Sequence, residues 1–131
     1  MNAGLVMFKL DTMLEDLEGF KDDRAKECKR WQANYDFVRA RLAVKIAYIY
    51  EWNARLGDMR KQFPPMDPMI HKGWQLAPSQ KITDRDADKY ALRAKAYWKQ
   101  LSQENAGTPW AWLAKREQLI SLGLEWQPSP K

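Results

Sequence analysis

From Val6 to Phe63 the large apolar residues fall three or four positions apart, and no proline interrupts them. The run reads Val6, Leu10, Met13, Leu17 and Phe20, then Cys28, Trp31, Tyr35, Val38, Leu42, Ile46, Ile49, Trp52, Leu56, Met59 and Phe63. A strand would place its apolar residues at alternate positions, whereas this period puts them on one face of a helix. Such a stripe dictates helical backbone, and something must cover it: other helices of the chain, or a second chain. The phase fails only near Arg24. Gly19 lies just before, and Asp22 and Asp23 can cap a new helix start. A break or kink is therefore expected over residues 19–23, with one helix to about Glu18 and a long one from about Asp23 to Gln62. The long helix would measure on the order of 60 Å at 1.5 Å per residue.

Residues 64–83 read as a proline-rich loop that opens Pro64-Pro65-Met66-Asp67-Pro68. Residues 84–122 read as two helices. Asp84 or Asp86 caps the first, and Ala87, Tyr90, Ala91, Ala94, Trp98 and Leu101 mark its buried face. Asn105-Ala106-Gly107 ends it, with Gly107 suited to a left-handed C-terminal cap. Thr108-Pro109 then starts the second helix. Thr offers a side-chain acceptor at the N-cap, and Pro leaves no unpaired N–H in the first turn. So short a connection implies an antiparallel hairpin. Residues 123–131 read as a tail. The expected fold class is all-α: one helical domain over residues 1–131, a long helix packed on a C-terminal hairpin.

Composition narrows function mostly by exclusion. A single Cys forbids a disulfide within the chain and a cysteine-based zinc site, and a single His, His71, leaves little for acid–base chemistry. Cys28 sits on the apolar stripe and reads as a small buried hydrophobe. Asp84, Asp86 and Asp88 resemble the start of a calcium loop, but Lys89 and Lys95 stand where the loop needs Gly and Glu. No Gly-x-Ser-x-Gly, phosphate loop or His-Glu-x-x-His is present, so an enzyme ranks last among the functions considered. No cofactor or metal site is expected. No apolar run is long enough to span a membrane. Of the formal net charge of +5, most sits at residues 21–62, with 11 basic and 6 acidic side chains. Trp31, Tyr35, Tyr48, Tyr50 and Trp52 interleave with those charges, as in some nucleic-acid binders. Trp31, Tyr35 and Trp52 fall on the apolar stripe, however, and read as core.

Three motifs carry a family resemblance: Lys29-Arg30-Trp31-Gln32-Ala33-Asn34-Tyr35-Asp36, Gly73-Trp74-Gln75-Leu76-Ala77-Pro78-Ser79, and Gly107-Thr108-Pro109-Trp110-Ala111-Trp112-Leu113-Ala114-Lys115-Arg116-Glu117 with Leu124-Glu125-Trp126. Together, over roughly residues 25–127, they resemble the C-terminal helical region of bacterial von Willebrand factor A domain-containing proteins of the planctomycete type. The turn before Pro109 also resembles that of tetratricopeptide repeats. The resemblance implies a C-terminal fragment of a larger protein with an adhesive domain upstream. The Asp-x-Ser-x-Ser metal motif of that domain does not occur in this chain, so no metal site carries over.

The function expected is that of a helical protein-interaction or assembly domain, with protein as partner and a second copy among the candidates. Val6, Leu10, Met13 and Leu17 are the expected contact residues if the N-terminal helix continues straight, with Trp112 beside them because it cannot share a face with Trp110. If the chain folds back at Gly19, a monomer closes a small bundle. The alternative is a nucleic-acid-binding module that uses the basic face of the long helix.

Overall fold

The computed structural model describes residues 3–61 and 71–130, with side chains over 4–61 and 73–127. Helix α1 covers Ala3–Glu18, a 3-10 segment covers Lys21–Lys26, and helix α2 covers Lys29–Lys61. Strand β1 follows at His71–Ser79, then helices α3 at Arg85–Glu104 and α4 at Pro109–Gln118, and strand β2 at Gly123–Pro130. The Phe63–Pro68 break lies outside the described residues.

The chain does not run straight through residues 19–28. α1 turns back and lies along α2, so its apolar residues meet the core of their own chain. Leu14 is fully buried, and Met7, Leu10 and Leu17 pack against the core from the edge. The Tyr35 hydroxyl donates to the Leu17 carbonyl across the two helices.

α2 packs chiefly on α3, and it does so on a face rotated from the expected stripe. Ala33, Ala40, Ala43 and Ala47 are buried on α2, and Ala87 and Ala94 on α3. Small residues on both helices let the backbones approach closely. Ile46, Tyr90, Trp98 and Leu101 fill the remaining space, each large aliphatic side chain contributing about 2 kcal/mol by leaving water. Of the expected stripe, Tyr35, Leu42 and Ile46 are buried, whereas Trp31, Val38 and Trp52 are each 37% exposed. Cys28 is exposed as well, because α2 begins one residue after it.

The chain is mostly helical, as expected, but not all-α, since it also carries a two-stranded antiparallel sheet. β1 lies within the segment read as a loop, and β2 occupies the segment read as a tail. Leu76 stands opposite Trp126 and Pro78 opposite Leu124. Both strands are edges, so Pro78 and Pro128 cost no central ladder bond. The Trp126 indole N–H donates to the Arg55 carbonyl at 2.6 Å, which ties β2 to the end of α2.

Asp84 is the N-cap of α3, its side chain accepting from the Ala87 N–H at 2.9 Å. The Glu51 carboxylate accepts at the same helix start from the Thr83 and Asp84 N–H groups at 3.2 Å, and from the Thr83 hydroxyl at 2.9 Å. Between α3 and α4, Gly107 adopts a φ of 81°, the left-handed conformation that glycine enters without steric cost. Thr108 is the N-cap residue of α4 but not through its side chain. Its hydroxyl donates back to the Asn105 carbonyl at 2.5 Å and so braces the turn instead of accepting from the helix.

Candidate functional site

Charge sets out the candidate site, beginning with charges that are hidden. α2 carries three carboxylates, Asp36, Glu51 and Asp58. Asp36 has no exposed surface. It accepts from Arg24 Nε at 3.0 Å and Nη2 at 2.6 Å, and from Arg39 Nη2 at 2.9 Å. Arg24 also pairs with Glu104, and Arg39 Nη1 reaches Glu18 at 3.2 Å. The Tyr97 hydroxyl donates to the same Glu18. The Arg39 guanidinium lies 4.5 Å from the Tyr35 ring centre and 4.3 Å from that of Tyr97, a stacked geometry suited to a delocalised cation. These contacts hold Arg24 in its protonated form above its usual range, chiefly through the hydrogen bond to Asp36. Burial pushes the Tyr97 hydroxyl up, and the hydrogen bond to Glu18 adds to it.

Glu51 is also fully buried, spent on the α3 helix start and on Arg55 Nε at 3.5 Å. Asp58 pairs with Arg55 Nη2 at 2.9 Å. Asp36 and Glu51 are thus withdrawn from the outer surface of α2, while Asp58 is exposed but lies beyond Trp52, nearer the end of the helix. What remains on that surface is a line of exposed residues: Trp31, Asn34, Val38, Arg41, Lys45, Tyr48 and Trp52. No carboxylate stands in it. Arg41 pairs loosely with Glu117 of α4, Nη1 to Oε1 at 4.0 Å, an ion pair without a hydrogen bond. Trp31 stacks on Tyr35 with the ring centres 5.1 Å apart.

The expected contact residues are not brought together. Val6, Leu10 and Leu17 are half-buried, the last two against the core, while Met13 is 52% exposed. Trp112 is 62% exposed on α4, with the Arg116 guanidinium 5.2 Å from its ring centre. Trp110 is turned inward and meets Phe37 edge-on. His71 opens β1, and its side chain lies outside the described residues.

A second feature is an open cleft of about 440 Å³ beside α3 and α4. Val44, Trp98 and Leu122 contribute apolar surface, and Asp88, Lys95 and Glu117 contribute charge. Leu92 and Ile120, both more than half exposed, border the same cleft. Among the described residues no three His, Cys, Asp or Glu side chains converge as a metal ion would require. No described helix is long and apolar enough to cross a membrane.

Sequence reasoning missed Arg41 and Lys45 as members of one surface, because it placed Trp31 and Trp52 inside. The correcting signal was present: alanines at 33, 40, 43 and 47 form a second stripe at helical spacing, with Asp36 in phase. No family model matches the chain, and neither a curated protein nor a solved structure matches it.

Proposed function

We propose that the chain is a non-catalytic helical protein-interaction domain that engages its partner along the outer face of α2. One observation carries the reading: Trp31, Val38, Tyr48 and Trp52 each keep between 37% and 48% of their surface exposed on a helix whose other face is packed on α1 and α3. Large aromatic side chains spaced along a rigid helix offer apolar area at low entropic cost, as interface anchors do. The resemblance to the helical region of von Willebrand factor A domain-containing proteins supports the same reading, since such a region would present a docking helix beside an adhesive domain. The resemblance of the turn before Pro109 to that of tetratricopeptide repeats fits that role.

A nucleic-acid module is the second reading, favoured by the cationic character that the withdrawn carboxylates leave on α2. Panning a display library of helical peptides against the chain separates the two. Protein binding predicts ligands that are lost on combined Trp31→Ser and Trp52→Ser substitution. A face that yields no such ligand, and instead holds a random single-stranded oligonucleotide with steep salt dependence, overturns the proposal.

A further inference from the structure

We infer that the outer face of α2 is a docking seam for an acidic amphipathic helix of a partner. The inference rests on the protein-binding reading above and adds the chemistry of the partner. From Trp31 to Trp52 the exposed residues advance in strictly alternating steps of three and four. That is the spacing of a helix–helix seam, in which each side chain meets a gap on the opposing helix. The seam is about 32 Å long at the rise of an α-helix.

Its chemistry is ordered along its length. Trp31 and Val38 stand toward one end, Tyr48 and Trp52 at the other, and Arg41 and Lys45 at the centre. The α2 carboxylates that could neutralise the two cations are elsewhere: Asp36 and Glu51 are fully buried, and Asp58 pairs with Arg55. A helix laid along this seam therefore needs apolar residues near both ends and carboxylates in its middle layers.

The same order selects against other occupants. In an antiparallel pair of two copies that uses the whole seam, Arg41 of each faces Arg41 of the other. In a parallel pair, Lys45 faces Lys45. Either arrangement places like charges together in the central layers, which is a device of specificity as much as a cost. A nucleic acid would want cations along the whole track, whereas this seam has them at two positions and apolar or neutral residues at the rest.

The test uses the full chain and synthetic helical peptides of about seven turns. One peptide carries Leu at the outer seam positions and Glu at the central ones. A second is identical but with Lys at the centre. Titration followed by tryptophan fluorescence should show binding of the Glu peptide and none of the Lys peptide. Arg41→Glu with Lys45→Glu should weaken the Glu peptide by about tenfold or more and confer binding of the Lys peptide. Equal binding of the two peptides to the unaltered chain overturns the inference, as does no binding of either at millimolar concentration. So does displacement of the Glu peptide by a single-stranded oligonucleotide at lower concentration. If the display library returns helical ligands that depend on Trp31 and Trp52 but lack acidic centres, the protein-binding reading stands and the acidic partner falls.

Discussion

Asp36 faces two guanidinium groups, Arg24 and Arg39, and is itself fully buried. A buried ion network of this kind is poor evidence of stability, because desolvation offsets most of the attraction. Removing one member is another matter. Asp36→Ala leaves Arg39, 5% exposed, without its inner counter-ion. The expected loss is about 3–5 kcal/mol in urea denaturation. Four tyrosines make a different prediction. Burial pushes the hydroxyls of Tyr35, Tyr50, Tyr90 and Tyr97 up, and Tyr90 is held further by donating to Asp11 at 2.6 Å. The unfolded chain loses these protons from about pH 10, before the folded chain does. Above that pH the unfolded state binds fewer protons, so stability falls as pH rises, while below it the contribution is complete. The urea midpoint should drop between pH 9 and pH 11, and drop less in Tyr90→Phe. An unchanged alkaline slope in that variant would remove Tyr90 as a cause.

At the scale of elements, the helices were legible and the sheet was not. α3 ends near its expected bounds because each end carries a local signal: Asp84 at the start, Asn105 and Gly107 at the stop. α2 begins at Lys29, six residues after its expected start at Asp23, and it does not bury its expected face. Apolar periodicity marks where large side chains lie, whereas the contact with α3 is set by alanines, which a search for large residues passes over. The strands carry only two alternating apolar residues each in their best stretch, Trp74 with Leu76 and Leu124 with Trp126. So brief an alternation has no weight until the partner strand is known, and the partner lies about fifty positions away in sequence. The sheet has its own critical position. A β-carbon on Gly123 would collide with the Lys81 carbonyl and lie 2.6 Å from that of Ser79. Gly123→Ala should therefore force the start of β2 away from the β1 end and lower the melting temperature, while Gly73→Ala, which meets nothing within 4 Å, should lower it less. Equal effects would show that the close approach does not constrain the ladder.

For the molecule as a whole, the back-folded α1 decides how much apolar surface is left over. The seam expected to need a second chain is largely closed internally by Leu14 and its neighbours. The outer face of α2 places cations where a second copy would need apolar or acidic residues. The chain should sediment as a compact monomer at micromolar concentration. A stable dimer that persists in Arg41→Glu with Lys45→Glu would place self-association on some other surface, with the cleft beside α3 and α4 the first to examine.

The polar ties of α1 have a consequence in time. Tyr90 reaches Asp11, and Tyr97 reaches Glu18, each across a sequence separation of 79 residues. Such contacts close very long loops, and the entropy of closure must be met before the contact returns anything. The α2–α3 pairing supplies the platform on which Tyr90 and Tyr97 are displayed, so α1 can settle only once that platform exists. α1 should then be the last element to dock during refolding and the first to open under native conditions. Pulsed hydrogen exchange should find its amides protected later than those of α2 and α3, and Tyr97→Phe should loosen α1 with little effect on the exchange of α4. Simultaneous protection of all four helices would instead mark a single concerted step.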